Sequence, residues 1–256
     1  MMITTHPPSS RVRPQLPRDV AMRLAETEYR RTAEALAALG PEDWTRPTEC
    51  PAWDVRQMAC HTIGMAAMTT SPLELARQQR KAGADAKSRG IDSLTALTAL
   101  QVSERAGWTP DEVVAGMREV GPKAYRGRRR TPGFVRNRAL PEKQVLSGQE
   151  ETWSIGYLID VILTRDPWMH RMDIARATGR PPDLTAEHDG VIVADVVAEW
   201  ASRHDEPYQL ELTGPAGGTW SRGAGGEQIR MDAIDFCRAL SGRGDAPGLL
   251  SVEVPF

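Results

Sequence analysis

The stretch Glu151–Arg180, ETWSIGYLIDVILTRDPWMHRMDIARATGR, constrains the fold of this 256-residue chain more than any other. Ile155, Ile159, Ile162 and Leu163 recur at three- and four-residue spacing, which predicts a helix with one buried face. That face then turns polar. Asp166 lies seven residues after Ile159 and His170 seven after Leu163, so a continuing helix points both side chains where the isoleucines point. A carboxylate and an imidazole four residues apart on an inward face form half of a metal site, and the other half must come from elsewhere in the chain.

The best candidate for a further ligand lies upstream. Asp54 is a good N-cap with Gln57 three residues on, so a helix is expected over VRQMACHTIGMAAM, with Val55, Met58, Thr62 and Met65 on its buried face. His61 falls on or beside that stripe. Cys60 points about 100° away around the helix and reads as a packed, inert thiol. His61, Asp166 and His170 together would place three N/O ligands inside a helical bundle and leave coordination positions open, the layout of a catalytic metal. The structural alternative stands beside it: Asp166 precedes Pro167 and reads equally as an N-cap after a kink, with His61 and His170 as core histidines. Arg171 and Asp173 flank His170 and either orient it or are ordinary surface charge.

The rest of the chain supplies the setting. Residues 1–17 read as a disordered or draped arm, with His6 solvated. A first core helix carries Met22, Ala25, Tyr29, Ala33 and Leu36 and stops at Gly40-Pro41. PEDWTRPTECPAW reads as an ordered loop pinned by Trp44 and Trp53, and as a possible pocket roof. Helices are expected at 72–82 and 93–106 with a charged connection at 83–92, then from Thr109-Pro110 through Val120. The run holding Arg126, Arg128, Arg129, Arg130, Arg136 and Arg138 reads as a solvated surface or an anion grip. Past Pro181-Pro182 the pattern changes. A helix at about 186–202 leads to alternating YQLELTG, a Gly-rich connection, EQIRMD, a helix AIDFCRALSGR capped by Asp232, and LLSVEVPF. The pattern predicts a small α/β domain with strands at YQLELTG, EQIRMD and LLSVEVPF.

Composition narrows the function classes. With 32 basic and 34 acidic residues the net charge is -2, so no global field favours nucleic acid or an anionic membrane. No segment approaches the ~20 apolar residues of a membrane span, and the N-terminus has too short an apolar run for a signal peptide. Cys50, Cys60 and Cys237 form no CxxC pair, which reads as a reducing, cytoplasmic setting. The Gly-rich stretch lacks the spacings of a phosphate cradle.

CPAWDVRQMACH, WMHRMDIARATGRP and IDFCRALSGR with its terminal VPF resemble the mycothiol-dependent maleylpyruvate isomerase family of the DinB-like superfamily, over nearly the whole chain after residue 18. The resemblance implies an α+β protein: a DinB-like four-helix bundle over 18–180, then a small sterol-carrier-like α/β domain over 181–256. It implies a divalent metal, commonly zinc, held by His61, Asp166 and His170, although family members comparable with the isomerase carry Glu where Asp166 stands. It further implies mycothiol as thiol co-substrate, a small-molecule electrophile, a monomer or homodimer, and isomerase or S-transferase chemistry. Arg238, within IDFCRALSGR, reads as a candidate anion contact for the co-substrate or as a surface arginine on a helix. Two other readings share these residues: a thiol-independent metal enzyme, and a non-catalytic protein that binds a small ligand.

Overall fold

The structure is a computed structural model that describes residues 11–146, 148–244 and 246–256. Residues 1–10 of the expected arm, His6 among them, lie outside the described residues. The fold is α+β, and the chain packs as two compact units.

The helical unit comprises 19–130 and 163–184. It contains α1 (Arg18–Ala37), α2 (Val55–Met68), α3 (Pro72–Arg89), α4 (Ser93–Ser103), α5 (Pro110–Arg130) and α6 (Leu163–Thr178). Its core is built where the apolar stripes of α1, α2, α5 and α6 meet, from Tyr29 and Leu36, Met58 and Ile63, Met117 and Val120, and Ile174. Burying such side chains contributes roughly 1.5–3 kcal/mol each. Two helices outrun their expected ends. In α3, Ala82 and Ala86 keep a narrow buried stripe going beneath charged neighbours, and the helix stops only at Gly90, whose φ of 66° suits glycine. In α5 the buried positions Val120, Ala124 and Arg128 repeat every four residues, so the helix runs to Arg130. Helix α5 also crosses the end of α2 so closely that a Cβ on Gly127 would sit 1.8 Å from the Thr69 carbonyl oxygen. Only glycine fits there.

The second unit comprises 11–18, 131–162 and 185–256. The stretch 131–162, expected within the bundle, groups here. Residues 144–146 and 149–151 form a short antiparallel hairpin, β1 and β2. Val12 runs parallel to Trp153, donating to the Thr152 carbonyl and accepting from Ser154 N–H, so the last part of the expected arm is draped. Next come α7 (Val191–His204), the strands β3 (Tyr208–Thr213), β4 (Gly218–Arg222) and β5 (Glu227–Asp232), and α8 (Ala233–Leu240). The sheet order is β4-β3-β5, with β3 antiparallel to β4 and parallel to β5. Tyr208, Leu210 and Leu212 are buried and alternate with exposed residues, as their spacing predicts. Trp200 of α7 packs edge-on against both Tyr208 and Phe236. The expected terminal strand is not one. Gly248–Ser251 forms a 3-10 turn, and the tail is fastened by a hydrogen bond from Val254 N–H to the Leu240 carbonyl.

Candidate metal centre

Each side chain of the centre is set by its own helix or turn in the helical unit. The start of α2 is fixed by a reciprocal capping box: Asp54 Oδ1 accepts from Gln57 N–H at 2.7 Å and Gln57 Oε1 accepts from Asp54 N–H at 2.9 Å. This places His61 two turns along, 3% exposed and facing inward. The preceding loop folds back on itself, with Pro47 bridging Asp54 and Thr48 N–H donating to the Trp53 carbonyl. Trp53 thereby stacks on the His61 ring at 4.7 Å between centroids, 29° from parallel, and meets His170 edge-on at 6.1 Å.

Helix α6 supplies the other two side chains, and it does so across a proline. Pro167 has no N–H to give the carbonyl of Leu163, the bond an unbroken helix would make there. A donor from another helix takes its place: Arg128 Nη1 of α5 donates to the Leu163 oxygen at 2.8 Å, and Nη2 donates to Thr164 Oγ1 at 2.6 Å. The Arg128 guanidinium also lies 5.5 Å from the Tyr29 ring centroid. The helix therefore runs on through Pro167, and Asp166 sits inside it instead of capping it. Arg128, read from sequence within a surface run, is 1% exposed. Its neighbours Arg126, Arg129 and Arg130 do lie in solvent.

His61, Asp166 and His170 converge. One donor atom from each lies within 4.8 Å of the others. Asp166 Oδ1 stands 3.4 Å from Nε2 of His61 and 3.4 Å from Nε2 of His170, and the two imidazoles meet at 84°. These polar contacts are long, and Asp166 Oδ2 and His61 Nδ1 are buried with no hydrogen-bond partner. Orphaned buried polar atoms are costly, so the donor set fits a cation better than it fits itself. Two imidazoles and a carboxylate suit zinc.

The electrostatics have the same form. Burial alone would push the Asp166 carboxyl up, but the charge and hydrogen bonds of His170 and those of His61 hold it well below the usual carboxylate range. Burial alone would push His170 down, but Asp166 and then Asp173 outweigh it and His170 is pushed up to about 9. Asp173, read from sequence as orienter or surface charge, is fully buried, with Oδ2 3.1 Å from His170 Nδ1. A carboxylate on the far nitrogen of a candidate ligand fixes the tautomer that presents Nε2. Arg171 is likewise buried, and forms a two-pronged ion pair with Glu28 at 2.8 and 3.0 Å.

The remaining candidates lie elsewhere or play other parts. Arg238, in α8 of the second unit, is bound locally, donating to Asp235 at 3.0 Å and to the Arg243 carbonyl at 3.3 Å. Cys60 is buried, and burial pushes its thiol up. Cys50 was not expected near the centre, yet its sulfur lies within 4.8 Å of donor atoms of His170 and Asp173. No spacing in the sequence links it to residues about 120 positions away. The spacing of Asp173 from His170, one helical turn, is the signal that reveals the orienting carboxylate.

Comparison with known proteins gives this geometry a context. Two Mycobacterium tuberculosis proteins of uncharacterised function, from strains CDC 1551 / Oshkosh and H37Rv, are each 27% identical over 224 residues, covering 82% of this chain and 80% of their own. A crystal structure of the mycothiol-dependent maleylpyruvate isomerase is similar with a TM-score of 0.56 at 14% identity, covering 90% of each chain. A histidine-to-alanine variant of that isomerase is similar with a TM-score of 0.52, again at 14% identity and 90% coverage of each chain. At that identity the likeness speaks for the fold. The family model described as the mycothiol maleylpyruvate isomerase N-terminal domain matches residues 25–175, more than half of the sequence, and the chain belongs to that family.

Proposed function

We propose that this protein is a metal-dependent enzyme that uses a low-molecular-weight thiol, mycothiol, to isomerise or S-conjugate a small electrophilic substrate. The observation that carries the reading is the convergence of His61, Asp166 and His170 with two buried donor atoms left unpartnered. Membership of a mycothiol isomerase family supports the choice of thiol. A divalent cation held by these three residues, zinc by their donor chemistry, would favour the thiolate form of a thiol brought against it at neutral pH.

The chain's own residues hold and shape the centre. Asp173 keeps the far nitrogen of His170 engaged, so that Nε2 faces Asp166. Trp53 covers one face of His61 and leaves less room for bulk water beside the donors. The nucleophile is the co-substrate: Cys60 and Cys237 are buried, and Cys50 groups with His170 and Asp173 and not with His61 and Asp166. Addition of the thiol to an unsaturated carbon, rotation and expulsion of the same thiol amounts to cis–trans isomerisation. Retention of the adduct amounts to S-transfer. No helix among the described residues is long and apolar enough to cross a membrane.

The test is metal content by mass spectrometry on chelated, zinc-reloaded protein, followed by thiol-dependent turnover of an unsaturated electrophile. Near-stoichiometric zinc in the wild type, lost in His61→Ala, Asp166→Ala and His170→Ala together with turnover, is expected. Equal, negligible zinc in all four proteins would overturn the reading. Zinc-dependent turnover without any thiol would replace it with hydrolysis-like chemistry.

A further inference from the structure

His170 has two ring nitrogens and the structure uses them on opposite sides. Nε2 faces Asp166 and His61, whereas Nδ1 lies 3.1 Å from Asp173 Oδ2. Asp173 also belongs to a second group of donors, for Cys50, His170 and Asp173 each place a donor atom within 4.8 Å of the others. We propose that Cys50, His170 and Asp173 form a second cation site, selective for thiophilic divalent ions such as cadmium, that shares His170 with the His61–Asp166–His170 set.

Three features carry the assignment. The first is chemistry: adding a thiolate to an imidazole and a carboxylate shifts a site toward soft ions, whereas the neighbouring set has only N and O donors. The second is placement. Cys50 sits in a tight turn in which Trp53 N–H donates to its carbonyl at 2.9 Å and its own N–H donates to Thr48 Oγ1 at 3.2 Å, so the backbone that carries the sulfur is fixed. The third is access and burial together: Asp173 is fully buried and His170 nearly so, while Cys50 is only half-buried, giving an ion a route to a largely dry site. Because a neutral imidazole presents one lone pair, an ion on Nδ1 and an ion on Nε2 exclude each other. A soft cation entering by Cys50 displaces the thiol proton and the Nδ1 proton to solvent, takes the place of the Asp173–Nδ1 hydrogen bond, and leaves Nε2 protonated and therefore closed to the first set. The inference extends the proposed function without depending on it, since the second donor set would bind its ion in a protein with no thiol chemistry at all.

Cobalt(II) separates the two sets, since cobalt bound to nitrogen and oxygen shows only visible d–d bands while a thiolate ligand adds a charge-transfer band in the near ultraviolet. The full chain, chelated and titrated with cobalt, is expected to take up one ion per chain, divided between the two sets, and so to show both kinds of band across the population. The sulfur band should vanish in Cys50→Ser and in Cys50→Ala, and persist in Cys237→Ser and in His61→Ala. Cadmium should displace cobalt from the wild type more readily than from Cys50→Ser. Visible bands without a sulfur band in the wild type would overturn this site and leave the first donor set standing. A sulfur band that survives Cys50→Ser, or that disappears in His61→Ala, would also overturn it, by moving the sulfur to another cysteine or into the first set. Absence of any bound cobalt would overturn both sets together.

Discussion

His170 and Arg171 are adjacent on one helix, both are buried, and both face charge, yet their surroundings differ in a way that separates a site from a scaffold. Arg171 meets Glu28 fork to fork at 2.8 and 3.0 Å, gives a further hydrogen bond to the Asp183 carbonyl, and shares Glu28 with the Thr32 hydroxyl. That network is closed. His170 meets Asp166 at 3.4 Å, in a cluster where a carboxylate oxygen and an imidazole nitrogen have no partner. That network is open. Buried polar groups are normally satisfied, so a closed network holds a fold together and an open one has room for something the chain does not provide.

The contrast breaks most visibly at Glu28. Glu28→Ala leaves the Arg171 cation buried without its partner and should cost about 3–5 kcal/mol in chemical denaturation, while the folded fraction still binds zinc. His61→Ala should do the reverse, losing zinc at less than half that cost in the metal-free protein. Equal losses of stability in the two variants would remove the distinction.

A smaller effect sharpens the boundary between scaffold and site at Pro167. Arg128→Met strips the Leu163 carbonyl and Thr164 of their donor and should cost about 2–3 kcal/mol. The same change in a Pro167→Ala background should cost measurably less, because the Ala N–H can serve the Leu163 carbonyl itself. Equal cost in both backgrounds would mean that the bond to the Leu163 carbonyl contributes nothing and that Arg128 acts through Thr164 and Tyr29. Asp173→Asn comes next in size. It keeps the shape but weakens the hold on His170 Nδ1, and zinc affinity measured against a chelating dye should fall roughly 10–100-fold. An unchanged affinity would reduce Asp173 to a filler of the core.

Much of this was readable in the sequence because it obeys a period. The spacing of three from Met58 to His61 and of four from Asp166 to His170 sets these side chains on shared helix faces, and the alternation of Tyr208, Leu210 and Leu212 follows its period too. The seven-residue link from Ile159 to Asp166 fails, because residues 158–162 form a π turn and Ile155 and Ile159 are only half-buried. What was not readable depends on contacts between distant segments. No local rule says that Arg128, inside a run of arginines, turns inward to serve a carbonyl orphaned by Pro167, 39 positions on. None brings Cys50 beside His170. The length of α5 was hidden because its last buried position is an arginine, which a hydropathy pattern counts as exposed. The tail LLSVEVPF has strand-like composition but, fastened by Val254 to Leu240, stays outside the sheet.

The last effect concerns protons, which stand in for the cation when the open network is empty. His170 titrates near ~6.5 in an unfolded chain and is pushed up to about 9 in the folded one. Its pairing with Asp166 therefore stabilises the metal-free protein fully below about pH 6.5, and that contribution fades as pH rises through about 9. A cation must displace the same proton, so zinc affinity should climb over the same window and the stabilisation it confers should climb with it. Thermal unfolding of metal-free and zinc-loaded protein across that range should thus give two curves that diverge as pH rises. His170→Ala should flatten the metal-free curve. Curves that stay parallel from pH 6.5 to 9 would mean that His170 carries no proton for the metal to displace, and the open network would then be as closed as its neighbour.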